Sequence, residues 1–192
     1  MPQRPTDRIP RTRRPTRAEL EAAKDLVLPD LIAPNLRVLF CGINPGLYTA
    51  AIGHHVGRPG NRFWPALFAG GFTDRLISPY DEHELLARGY GITNIVYRPT
   101  ARADELTNEE LVAGGKALVA KIKRYKPRIA AVLGVVAYRV AMGRKDVKVG
   151  RQEETIGKTI LWVLPNPSGL NAHYQPDALA RVFRELKGES DR

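Results

Sequence analysis

Short unbroken apolar runs alternate along the chain with longer segments whose apolar positions recur every three or four residues. The runs LRVLFCGI (36–43), GITNIVY (91–97), RIAAVLG (128–134) and KTILWVLPN (158–166) are four to eight residues of buried strand each. Helical periodicity marks NRFWPALFAG (61–70), where Pro65 starts or interrupts the helix, and PYDEHELLARG (79–89). It also marks TNEELVAGGKALVAKIKRY (107–125), VVAYRVAMG (135–143) and the amphipathic PDALARVFREL (176–186). Two helix starts carry a capping box, Thr16 with Glu19 and Thr107 with Glu110. Parallel strands need crossovers and bury both faces, so four such runs separated by helices predict a three-layer α/β/α fold around a central, mainly parallel four-stranded sheet. Function is then expected in the crevice at the carboxyl ends of the strands.

At 192 residues, 43% hydrophobic and 26% charged, the chain suits one globular domain. It has no apolar run near the ~20 residues of a membrane span and no signal-peptide core, which gives the expectation of a cytoplasmic protein. Residues 1–17 carry six arginines and four prolines with little apolar content, the composition of a disordered basic arm, and leave 18–192 as the domain. Thirty basic against twenty acidic residues, a formal +10, favour a polyanionic partner. The single cysteine, Cys41, removes any disulfide framework or multi-cysteine metal site and reads as a small strand hydrophobe. None of the four histidines shows ligand spacing such as HExxH, so no metal is expected.

Two strand ends carry an Asn-Pro in a small polar loop: GINPGL (42–47) and LPNPSGLN (164–171). The first is neither a P-loop nor GxGxxG, so a nucleotide cofactor is disfavoured and none is expected. Its glycines let a flat ligand approach the backbone, and Pro45 fixes a torsion beside Asn44. An amide can hold water but at neutral pH cannot take its proton, so a catalytic Asn44 positions the nucleophile and is no general base. In the second loop, Asn166, Ser168, Gly169 and Asn171 surround one apolar side chain, Leu170. That leucine is open to two readings, ordinary loop packing or a wedge that unstacks a base pair.

GINPGL, GRPGNRFW, GITNIVYRPT and LPNPSGL occur in this order, and together they resemble the family of mismatch-specific uracil-DNA and thymine-DNA glycosylases, from about Leu31 to Leu186. The resemblance implies hydrolysis of the N-glycosidic bond of uracil mispaired with guanine in double-stranded DNA, without metal or cofactor, by a protein expected to be monomeric. It implies that Asn44 holds the attacking water, that Leu170 is the wedge, that the Gly169 backbone meets the unpaired guanine, and that Ile43 lines the flipped-base pocket. Thr49 matches the small residue beside the pyrimidine 5-position, and Asn94 a position that is lysine in one branch and asparagine in the thymine branch.

The departures are as informative. Val56 stands where the family has a stacking aromatic, Ala172 replaces an arginine after the wedge with His173 nearby as a substitute, and Tyr97 replaces an acidic residue. His54-His55 resembles the pair in the thymine-processing branch, with His55 either a donor to the leaving base or a loop histidine. Arg98 is read as a phosphate contact or a structural group. No lysine lies within either Asn-Pro motif, so no Schiff base is expected. Asp81, Glu82, Asp104 and Glu105 are the carboxylates near the loops, and sequence cannot bring any of them to the sugar. Two alternatives stay open: a same-fold glycosylase for hypoxanthine or ethenocytosine, and a non-catalytic mismatch binder.

Overall fold

A computed structural model describes residues 9–11, 13–169 and 174–192. Five strands form one sheet: β1 (Val38–Gly42), β2 (Tyr90–Asn94), β3 (Ile129–Leu133), β4 (Gly150–Ile156) and β5 (Thr159–Leu164), in the order β2-β1-β3-β5-β4. The helices are α1 (Arg17–Ala22), α2 (Leu47–Ile52), α3 (Phe63–Ala69), α4 (Glu84–Ala87), α5 (Asn108–Tyr125), α6 (Val135–Met142) and α7 (Pro176–Ser190). The four expected strands pair in parallel, and the predicted three-layer α/β/α architecture holds.

Alternation along β1 divides the core into two halves, because successive side chains leave opposite faces of a strand. Val38 and Phe40 face the half closed by α3 and α7, and Leu39 and Cys41 the half closed by α5 and α6. Phe40 meets Phe63 and Phe72 edge-on with centroids 5.4 Å apart, and stacks on Phe183 at 6.1 Å. Such pairs add about 0.5–1.5 kcal/mol each beyond their buried area. Cys41 is fully buried, which pushes its thiol up to about 12 and leaves it a packing residue.

The four-stranded expectation requires correction, since β4 runs antiparallel to β5 at the edge of the sheet. Its sequence, GRQEETI, is polar and half exposed, so it carries no apolar run; the ladder itself and a tight turn at Gly157, φ 61°, define it. The helix expected over 79–89 is a 3-10 turn at Pro79–Asp81 followed by the single turn of α4. Helix α2 was not foreseen, because Gly46 and Pro45 mask its start. Both capping boxes are present.

The arm, expected to be disordered through residue 17, is docked where it is described. Ile9 is 3% exposed and packs with Ala23, Ala50, Ala51 and Ile52, its carbonyl accepts from the Tyr80 hydroxyl at 3.1 Å, and Arg11 pairs with Asp81. Residues 1–8 and 12 lie outside the described residues.

Two adjacent glycines bring α5 against its neighbours. A Cβ on Gly114 would stand 2.4 Å from the Ile95 carbonyl oxygen, and one on Gly115 2.0 Å from that of Ala141. Alanine normally gains about 1 kcal/mol over glycine inside a helix, whereas overpacking costs about 1–3 kcal/mol. Backbone cannot move aside as a flexible side chain can, so we expect Gly115→Ala to lower stability in urea unfolding by about 1–2 kcal/mol; a stabilised variant would show that α5 can shift outward freely.

Candidate active site at the carboxyl ends of the strands

A cavity of about 470 Å³ opens where β1, β2, β3 and β5 end. Its floor and walls include Gly42, Ile43, Asn44, Thr49, His55 and Val56, with Asn94 from β2 and Asn166 and Ser168 from the loop after β5. The structure therefore brings together, around one space, Asn44, Asn94 and His55, singled out as catalytic, and Ile43, Thr49 and Val56, singled out for the base pocket; Gly169 lies outside the lining. Leu170, Asn171, Ala172 and His173 lie outside the described residues.

The loop after β1 is zipped to the loop after β2. Ile95 N–H donates to the Gly42 carbonyl and Val96 N–H to that of Ile43, both at 2.9 Å. Further along, Thr100 N–H donates to Pro45 at 3.2 Å and Leu47 N–H to Thr100 at 3.0 Å. Between these rungs Asn44 Nδ2 donates to the Arg98 carbonyl and to Thr100 Oγ1, each at 2.8 Å. A carbonyl can only accept, so the amide's orientation is fixed by chemistry. No hydrogen bond among the described residues uses Oδ1, which is left as an acceptor.

Asn94 ends β2 directly opposite Gly42 in the parallel register. A Cβ on Gly42 would stand 2.5 Å from Asn94 Oδ1, so the glycine leaves room for this amide over the cavity floor. Asn94 is 7% exposed.

His55 is 2% exposed, and its Nε2 lies 3.0 Å from the Pro29 carbonyl. Since that carbonyl can only accept, Nε2 carries the proton and Nδ1 is the unprotonated nitrogen. Burial pushes the ring's pKa below its ordinary value of 6.5, against the opposing pull of Glu82, so the ring is neutral at physiological pH. A donor already committed to Pro29 does not suit His55 to the leaving-group donation considered from sequence. Its backbone N–H donates to Glu82 Oε2 at 2.7 Å, and Glu82 Oε1 lies 3.4 Å from His54 Nδ1, so this buried carboxylate anchors the histidine pair.

Thr49 on α2 accepts from Gly57 N–H at 3.2 Å. Val56 adopts φ 53°, a left-handed conformation that costs a β-branched residue of order 1–3 kcal/mol and marks a position held by its surroundings. No phenylalanine, tyrosine, tryptophan or lysine lines the cavity among the described residues.

The remaining sequence candidates separate cleanly. Asp81 pairs with Arg11, Glu82 holds the histidines, and Glu105 accepts from Arg102 N–H at 2.8 Å. Asp104, alone of the four carboxylates, lines the cavity, beside an exposed Arg102 whose Nε donates to it at 3.1 Å. Arg98 grips Glu110 at 2.7 and 2.9 Å, and this pair is the chief cause holding the Glu110 carboxyl down at about 2; the guanidinium ties its loop to the start of α5 while its carbonyl orients Asn44.

Sequence reasoning missed Arg62. Its guanidinium donates to the Gly169 carbonyl at 3.0 Å and to that of Tyr174 at 2.6 Å, and its own N–H donates to Pro167 at 2.9 Å. It thus straps the second Asn-Pro loop on both sides of 170–173. A Cβ on Gly169 would stand 2.6 Å from the Gly60 carbonyl oxygen, so GRPGNRFW and NPSGL are one packed unit. Their joint occurrence was the available signal; sequence could not say that they touch.

Fold and cavity together define an α/β protein with a cavity of small-molecule size at its strand ends, lined by Arg58 and Arg102 among others. A family model, the Uracil DNA glycosylase superfamily, matches residues 29–187, and the chain belongs to that superfamily. Its members are DNA N-glycosylases, hydrolases of base excision repair that act on damaged bases. No helix among the described residues is long and apolar enough to cross a membrane.

The buried neutral His55 makes stability depend on pH. Unfolding exposes a ring that binds a proton below its ordinary 6.5, while the folded ring resists doing so; stability is therefore held above 6.5 and declines as pH falls below it. We expect Tm to drop between about pH 7 and pH 5, and the drop to be shallower in His55→Gln, which keeps a donor for Pro29 but does not titrate. Equal slopes for the two proteins would assign the effect to other groups.

Proposed function

We propose that this protein is a monofunctional DNA glycosylase that flips uracil out of G:U mismatches in double-stranded DNA and hydrolyses its N-glycosidic bond, leaving an abasic site. The observation that carries the reading is the Asn44 amide: both donors are held by the neighbouring loop, and its oxygen is the one atom left to orient a water molecule. The bond from C1′ to the base nitrogen breaks with its electron pair leaving on the base. Water oxygen bonds to C1′ and gives up a proton. The transition state is oxocarbenium-like, by analogy with glycoside hydrolysis, so charge stabilisation counts for more than a strong base.

Asp104 is the group suited to take the water's proton, being the carboxylate on the cavity wall. DNA phosphates compete for Arg102 and, when they draw it away, leave Asp104 unpaired. Asn94 presents an amide to the edge of the flipped base, and the neutral His55 offers Nδ1 as an acceptor. Ile43 and Val56 supply aliphatic contact in place of a stacking ring, which weakens base affinity by about 1–3 kcal/mol relative to an aromatic. Thr49 limits room beside the pyrimidine 5-position and so sets how well thymine competes with uracil. By the family resemblance Leu170 is the wedge that fills the gap in the helix, and Asn166, Ser168, Gly169, Asn171 and His173 of the same sequence segment are the DNA contacts. The absence of a cavity lysine among the described residues supports hydrolysis over Schiff-base chemistry. The protein acts as a monomer.

Oligonucleotides carrying one G:U, G:T, hypoxanthine or ethenocytosine lesion, incubated with the protein and then treated with alkali, test this directly. Strand breaks at G:U that appear only after alkali are the expected result; breaks before alkali would overturn monofunctionality, and preferred cutting at another lesion would overturn the uracil assignment. Asn44→Ala should lower the single-turnover rate by at least 10²-fold while retaining mismatch binding, and Asp104→Asn by roughly 10²-fold, the range of a general base. Wild-type rates in either variant would remove that residue from the mechanism.

A further inference from the structure

Behind the cavity lies a polar cluster that no step of the chemistry uses. Lys121, on α5, and Asp30, before β1, are each 14% exposed in their side chains and pair at 2.5 Å. Lys121 Nζ also donates to Thr93 Oγ1 at 2.6 Å and to the Tyr97 hydroxyl. Thr93 in turn donates to Asp30 Oδ1 at 2.6 Å and Tyr97 to Asp30 Oδ2 at 2.7 Å. All three ammonium protons have acceptors, and both carboxylate oxygens have donors, so the cluster is closed and fully satisfied. A buried ion pair is weak evidence for stability by itself, because desolvation offsets its attraction.

Its attachment points suggest what it does. Asp30 follows Pro29, whose carbonyl holds His55 Nε2. Thr93 precedes Asn94. Tyr97 precedes Arg98, whose carbonyl holds Asn44 Nδ2. The Asp30 segment is pinned to β2 by Leu31, which exchanges backbone hydrogen bonds with Ile92 at 2.8 and 2.9 Å. Two segments distant in sequence, one at Asp30 and one from Thr93 to Tyr97, thus meet one ammonium group, and each of the three residues it contacts is adjacent to a residue that lines the cavity or orients a side chain in it.

We propose that Lys121 is a positioning residue: it locks Asp30, Thr93 and Tyr97 together and thereby fixes Pro29, Asn94 and Arg98, and through them His55 and Asn44, in register with one another. The proposal rests on the glycosylase reading for its kinetic consequence but not for its structural one. Lys121 does not line the cavity, so its loss is expected to loosen the site without removing a group from the cavity wall.

Thr93→Val, an isosteric change that removes one hydroxyl, and Lys121→Met are compared with Thr93→Ser. We expect the first two to bind a G:U duplex within about twofold of wild type and to cut it at least 10-fold more slowly in single turnover, with Thr93→Ser recovering most of the rate. In DNA-free protein, the Asn44 side-chain amide protons, slow to exchange in the wild type, should exchange at least 10-fold faster in the slow variants. Should Lys121→Met fail to fold, Thr93→Val carries the comparison. Folded variants with wild-type rates and a protected Asn44 amide would overturn the proposal. A wild-type protein that cuts none of the lesions would overturn the glycosylase reading and leave the amide exchange to decide this one.

Discussion

One backbone carbonyl, that of Arg98, decides which way the Asn44 amide faces. Because it can only accept, it takes Nδ2 and turns Oδ1 away from the loop. The carbonyl stays in place because the loop after β2 is zipped to the loop after β1, and because the Arg98 side chain is clamped by Glu110 at the head of α5. Glu110 is also the N3 member of the α5 capping box, so the same carboxylate that satisfies the helix start holds the loop that aims the amide. A local helix signal and the aim of a site side chain are thus one interaction.

Much of the fold was legible because buried parallel strands announce themselves as unbroken apolar runs, and capped helices by their boxes. Strand β4 was not, since an edge strand with one wet face has neither signature. Among cavity-lining residues, Asn44 and Asn94 were legible through the motifs that contain them, and His55 through the His54-His55 pair. Their hydrogen-bond partners were not, because the carbonyls of Arg98 and Pro29 are backbone groups that leave no trace in side-chain identity. The same holds for Arg62, which reads as one more arginine in a basic chain until the loop it straps is seen.

Neutrality and charge are kept apart by depth. His55 sits where desolvation keeps an imidazole uncharged and its tautomer fixed, while the Lys121 charge survives burial because Asp30 and two hydroxyls surround it. Asp104 stands on the exposed wall of the cavity with Arg102 as its partner, open to water on its other sides. A chain with a formal charge of +10 thereby keeps the carboxylate of its cavity wall at the surface.

The Arg62 strap has a geometric meaning beyond stability. One guanidinium holds the Gly169 and Tyr174 carbonyls, the Arg62 N–H holds that of Pro167, and the Gly60 carbonyl leaves no space for a side chain at Gly169. Asn166, Pro167 and Ser168 form part of the cavity wall, so the wall on this side is carried by the head of α3 as much as by the strand that leads into it. A residue outside the cavity thus acts as the hinge pin of one of its sides.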